Sequence, residues 1–289
     1  MAPARSATPD GTRTAPPAMS LLTPLLSRRD LTVNLTLREL RGKYKRSVLG
    51  WAWSLLNPLA MVGIFALVFR FLLGVPVPVG DPSGLHIFAL YLVCGLLPWN
   101  FLANGIIGGM GAIVGNGNLI KKVYFPREIL VLASTGAWGV SLIIELSVVT
   151  VALLIVGNFV LPWLPAVVLV LALQAVFVLG IAMLLASAAV YFRDLEHLVG
   201  IGLQLWFYGT PIIYPTSLVT EQLADQPWLL RLYDLNPMVH FVEVYRNLLY
   251  DLRVPSFNEV AVLVVSAAVS LVIGATVFAR LEPRFAEEL

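Results

Sequence analysis

The chain has 289 residues, 58% of them apolar and 12% charged, with a net charge of +2. Soluble domains carry about a quarter charged residues, so an ordinary soluble domain is excluded. The mean hydropathy of +0.85 agrees, and so small a net charge does not make nucleic acid an expected partner.

Residues 1–27 are rich in Ala, Pro, Ser and Thr, which bury too little surface to offset chain entropy. A disordered cytoplasmic tail is expected. Leu21, Leu22, Leu25 and Leu26, broken by Pro24, are too few for the apolar core of a signal peptide.

Residues 28–46 predict an interfacial helix. Ser27 and Asp30 form a capping pattern at its start. Val33, Leu37, Leu40 and Tyr44 recur at helical spacing, while Arg38, Arg41 and Lys45 take other faces. A helix with one apolar face and a cationic remainder lies in the headgroup plane. Together with Lys43 and Arg46, these cations stand just before an uncharged run from 47 to 69. About 20 apolar residues cross a bilayer, and basic clusters stay on the cytoplasmic side.

Uncharged runs predict six spans, at 51–73, 87–107, 129–156, 164–190, 198–213 and 260–279. The loops after the first and third spans lack Lys and Arg. The loop after the second carries Lys121, Lys122 and Arg127, the one after the fourth carries Arg193, and Arg280 and Arg284 follow the sixth. Both termini are therefore expected to be cytoplasmic, in a multi-pass protein of the plasma membrane.

Between the second and third spans, Asn118 is placed to cap a short helix. Leu119, Ile120, Val123, Tyr124 and Phe125 are expected to expose apolar surface beside Lys121 and Lys122. An apolar patch rimmed by charge marks a docking site; the plainer alternative is a helix lying on the membrane. Arg193 and Asp194, in the next inner turn, are a second candidate contact or a solvated linker. Pro211 and Pro215 should end the fifth helix near the membrane. Two amphipathic stretches follow, at 221–232 and 237–249. Asn236 caps the second, and Met238, Phe241, Val242, Tyr245 and Leu249 line one side of it. They either dip back into the outer leaflet or float on the surface.

Glu145 lies inside the third span, where a carboxylate is costly and functional by default; a structural hydrogen bond is equally open. Arg70 can snorkel from the end of the first span. Trp53, Phe65, Trp99, Phe207, Tyr208 and Tyr214 are candidate channel-lining aromatics that suit sugar rings, although interfaces enrich such residues anyway. The single cysteine, Cys94, excludes an internal disulfide, and His86, His197 and His240 have no metal-ligand spacing. Gly42-Lys43 is the only Gly-Lys pair, and Leu37 stands where a phosphate-binding loop needs its first glycine. The chain is not expected to be an enzyme or to bind ATP.

The segment 44–53 (YKRSVLGWAW) with Asn57-Pro58-Leu59 resembles the opening of type-2 ABC exporter permeases that move polysaccharides. So do 95–99 (GLLPW), 121–126, 191–194 (YFRD), 210–215 (TPIIYP) and Asn236-Pro237. The likeness covers 28–289, leaving only the tail outside a type-2 ABC transmembrane domain. It implies an all-α membrane fold with six spans, an interface helix at 28–46, a coupling helix at 118–125 and outer gate helices after Pro215. It also implies a homodimer enclosing a channel, with two separate ATP-binding subunits carrying Mg-ATP and no cofactor in this chain. Lipid-linked glycans such as cell-wall galactan, O-antigen or teichoic acid are the implied substrates. Arg41, Lys43 and Arg46 would then meet a polyprenyl diphosphate at the entrance. A type-2 permease for drugs or simple lipids, or an ion-coupled carrier, remains open.

Overall fold

A computed structural model describes residues 29–43, 52–72, 74, 78–123 and 125–289. Lys45, Arg46, Tyr124, the tail and the capping position at Ser27 lie outside them. Among the described residues every regular element is helical. The order is α1 (Arg29–Lys43), α2 (Ala52–Phe65), α3 (Phe88–Gly115), α4 (Gly117–Lys122), α5 (Glu128–Ile155) and α6 (Leu164–Tyr191). Then come α7 (Leu195–Tyr208), α8 (Thr216–Gln222), α9 (Pro227–Asp234), α10 (Pro237–Arg246), α11 (Phe257–Leu281) and the terminal turn α12 (Phe285–Glu288).

Among the described residues four helices are long and apolar enough to cross a bilayer: α3, α5, α6 with its preceding turn, and α11 with its following turns. They occupy four of the six expected spans. The first expected span is α2, continued by a wider π-helical segment, Ala66–Leu72. The expected fifth span is shorter than predicted. Its helix α7 has 14 residues, or about 21 Å at 1.5 Å per residue, against a hydrocarbon core of about 30 Å. Pro211 explains the early stop, because proline disfavours helix at the residue before it.

The bundle is built on α3, α5, α6 and α11, with α3 packing on both α5 and α6 and α11 on α6. Lipid tails are as apolar as leucine, so helices gain little by burying apolar area against one another; close backbone approach is what pays. The α6–α11 crossing uses it. A Cβ on Gly180 or Gly274 would overlap the opposing backbone, and Ser270 Oγ donates to Phe177 O at 2.7 Å across the same contact.

The helix α10 does not float. Met238, Phe241, Val242, Tyr245 and Leu249 are all fully buried, against α3, α6 and α11. The sequence placed its start correctly: Asn236 Oδ1 accepts the Met238 N–H at 3.0 Å, with Pro237 at the first helical position. The stretch expected at 221–232 is instead two short helices, α8 and α9, the second beginning at Pro227.

The interface helix also departs from the expected pattern. It packs along α5 through Leu35 and Leu40, whereas Val33 and Leu37 of the predicted stripe are exposed. In a membrane an apolar face is satisfied by lipid as well as by protein, so periodicity alone does not say which face packs.

Candidate functional site

The loop between α3 and α5 gathers one end of the bundle. Asn116, not Asn118, stands at the start of α4, and its side chain caps nothing; it donates back to Ala112 O at 2.9 Å. Lys121, Lys122 and Val123 are exposed and Leu119 is half-buried. Ile120 and Phe125, expected on the surface, are buried instead, in a core with Leu35, Ile113, Ile129, Phe278 and Phe285. The loop therefore presents a cationic face and is anchored by its apolar residues. Arg127 fixes the far end, its backbone N–H donating to Glu282 Oε1 at 3.2 Å and its guanidinium to Glu282 O.

Arg193 and Asp194 are exposed at the α6–α7 turn. Arg193 shares a cavity of about 510 Å³ with Asn118 and Lys121 of the loop and Glu196 of α7. The structure thus brings two candidate contact segments, far apart in sequence, to a single face at one end of the bundle.

The basic residues of α1 split into different roles. Arg38 is engaged, donating to Asn116 Oδ1 and Glu39 Oε1 at 2.9 Å each, so it ties the interface helix to the loop. Arg41 is exposed. Lys43 turns inward, with Nζ 3.1 Å from the centre of the Trp138 ring and 3.4 Å from Ser141 Oγ. Burial pulls its ammonium down to about 7, against Glu145 and Glu39, which favour the charged form.

Lys43 and Trp138 belong to a second cavity, of about 340 Å³, between α1, α2, α3 and α5. Three of these helices contribute pairs on one face: Trp53 and Asn57 from α2 and Asn100 and Asn104 from α3, each one turn apart, and Trp138 and Glu145 from α5, two turns apart. Glu145 is buried. Amides and a carboxylate lining a cavity between apolar helices are expensive at membrane depth, which makes this cavity the candidate ligand site. Indole faces beside amide and carboxylate groups match the two sides of a sugar ring, one C–H-rich and one hydroxyl-rich. Of these residues, only Lys43, Trp53 and Glu145 were singled out from sequence. Asn100, Asn104 and Trp138 were missed, and Asn57 was read only as part of the family-like segment Asn57-Pro58-Leu59. For Asn100 and Asn104 the signal was present: two amides four residues apart within an otherwise apolar run.

The other candidate aromatics form a separate cluster. Phe65 and Phe207 stack at 6.2 Å, Trp99 meets Phe207 at 5.5 Å, and Tyr208 meets Phe207 at 5.3 Å. Tyr214 joins by donating to Tyr208 O at 2.8 Å. Trp99 is buried in the core of the chain, contrary to a lining role, whereas Tyr208 is largely exposed. The cluster staples α2 to α7 over α3.

A bundle of long apolar helices, with a cavity lined by amides and a carboxylate between them and a charged face at one end, defines a multi-pass membrane protein. The family model for ABC-2 type transporters matches residues 31–250, and the chain belongs to that family. It is 29% identical over 261 residues to an O-antigen export system permease protein of Klebsiella pneumoniae, covering 90% of this chain and 95% of that one. It is 30% identical over 273 residues to the protein of the same name in Myxococcus xanthus, covering 93% and 99%. A capsule polysaccharide export inner-membrane protein of Neisseria meningitidis is 24% identical over 272 residues, covering 90% and 94%.

Proposed function

We propose that this chain is the membrane permease of an ATP-driven exporter that moves a lipid-linked polysaccharide across the inner membrane. The observation that carries the reading is the intramembrane cavity of Trp53, Asn57, Asn100, Asn104, Trp138 and Glu145. Its chemistry suits a hydroxyl-rich cargo and suits an apolar drug poorly. The names of the relatives, which export O-antigen or capsule polysaccharide, support the same cargo class.

In this reading two copies enclose the path, α2 and α7 complete a set of six spans, and both termini face the cytoplasm. Two ATP-binding subunits dock on the face formed by Lys121, Lys122, Val123 and Arg193. ATP binding draws these subunits together and pushes on α4. The Arg38–Asn116 contact passes the push to α1, and α1 shifts against α5, opening the way to the cavity. Arg41, exposed beside the entrance, meets the diphosphate of the lipid carrier as a charge-assisted partner. O-antigen-like glycan, teichoic acid and galactan all fit this scheme.

The test is Asn100→Leu with Asn104→Leu. Insertion and partner binding should persist while the glycan accumulates inside the cell. Undiminished export from that variant would remove the cavity from the path.

A further inference from the structure

The helix α4 has six residues and no side-chain cap at its start. So short a helix does not hold itself, and its position is set by what it packs against. Its link to α1 in the scheme above is a hydrogen bond from Arg38 to Asn116, made by a side chain that is 48% exposed. A second link is buried. It runs through the segment Glu282–Leu289 that follows α11, to which the export reading gives no role.

That segment grips the loop at three places. At the start, a Cβ on Gly117 would lie 3.7 Å from Leu289 Cβ, in ordinary contact. In the middle, Phe285 is fully buried in the core that holds Ile120 and Phe125, and its ring meets Phe278 of α11 edge-on at 5.3 Å. At the far end, Glu282 accepts from the Arg127 backbone N–H and guanidinium. The turn α12 packs against both α4 and α6. The same core continues through Ala275 and Phe278 of α11 to Ala182, Met183 and Ala186 of α6, beside the backbone contact of Gly180 with Gly274. Close-packed interiors are little compressible and transmit displacement, whereas an exposed hydrogen bond exchanges with water. A displacement of α4 therefore passes directly to the α6–α11 pair.

We propose that Glu282–Leu289 is a clamp that makes α4 move as one body with α6 and α11, with Phe285 as a positioning residue for coupling. The proposal rests on the export reading above, which makes α4 the element that receives the push. It gives that push a second line into the bundle, independent of α1.

The experiment uses the full-length chain with its co-purifying ATP-binding subunits in inside-out proteoliposomes. The cargo is radiolabelled lipid-linked glycan extracted from the same membranes. Cys94→Ala removes the native buried thiol. On that background Gly117→Cys with Leu289→Cys sets two Cβ atoms 3.7 Å apart, within the disulfide range of about 3.5–4.5 Å. The bond should form on oxidation and leave ATP-driven uptake unchanged, because these residues stay together throughout the cycle. Phe285→Ala should lower uptake per ATP hydrolysed about tenfold while capture of the ATP-binding subunit persists. Oxidising the cysteine pair in Phe285→Ala should restore the ratio. A merely structural role would lower capture, hydrolysis and uptake together and leave their ratio alone. Failure of the bond to form, loss of uptake on oxidation, or an unchanged ratio in Phe285→Ala overturns the clamp. Where Phe285→Ala does not assemble, the cysteine pair in the otherwise native chain decides. Amide exchange of 117–122 separates clamp from export, and should quicken about tenfold in Phe285→Ala. If wild-type vesicles take up no glycan with ATP while exchange quickens so, the export reading falls and the clamp on α4 stands. If uptake is ATP-driven and exchange is unchanged, the clamp alone falls.

Discussion

Arg246 shows how one side chain makes a buried, irregular segment of backbone possible. Between α7 and α8 the chain is irregular yet Thr210, Pro211, Ile212 and Ile213 are buried, so their carbonyls need partners within the protein. Irregular backbone survives there only when protein covers and satisfies it. Arg246 does so with two donors, and Asn236 adds contacts to Gly209 O and Thr210 Oγ1 at 3.1 Å each. Arg246→Met should therefore leave two carbonyls unpaired, at about 1–3 kcal/mol each. A fall in thermal stability in detergent micelles is expected, with Arg246→Lys intermediate, and an unchanged melting temperature would refute the strap. This role was not legible in the sequence, because the carbonyls lie 34 and 35 residues away. Glu145, by contrast, stood out as a lone carboxylate in an apolar run. Lys43 supports a prediction on pH. Burial lowers it from 10.5 to about 7, so the unfolded chain keeps this proton to a higher pH than the folded one. Unfolding then takes up a proton between these values, and stability should rise with pH across that window. Melting curves of wild type and Lys43→Met should differ in slope there, the variant being flatter.

Among the elements, helix periodicity and capping were legible while the packing of each face was not. Asn236-Pro237 announced α10 correctly, yet a stripe of Met238, Phe241 and Val242 is equally at home in lipid or in a core. Tertiary contacts with α3 and α6 decided it. The same ambiguity misplaced Phe125 and Ile120, which anchor the α3–α5 loop from inside. Two substitutions separate anchor from docking face. Phe125→Ala should cost about 3–5 kcal/mol of stability, as buried aromatic truncations do. Lys121→Glu with Lys122→Glu, both exposed, should leave stability within about 0.5 kcal/mol and abolish capture of the ATP-binding subunit. Retained capture by the charge-reversed protein would move the docking face elsewhere. At the α6–α11 crossing, Gly180→Leu should block the close approach and prevent the bundle from assembling, read as loss of a monodisperse species on size exclusion. A normal elution profile would show that the two helices tolerate separation.

For the whole molecule, composition and charge order sufficed for a multi-pass membrane protein, and the family match over 31–250 agrees with the resemblance carried by its motifs. The polar cavity was only half legible. Its residues come from four helices, and no linear pattern shows that Asn57, Asn104 and Trp138 meet. In the proposed function this chain supplies a path and a docking face, and another subunit hydrolyses ATP. The direct measurement is made on the chain affinity-purified from its native membrane and reconstituted in proteoliposomes. Glycan uptake into inside-out vesicles and ATP hydrolysis are followed with the co-purifying subunits present and after they are stripped away. Both should vanish on stripping and return together when the ATP-binding subunit is added back. Uptake by the stripped chain under an ion gradient alone would contradict the account.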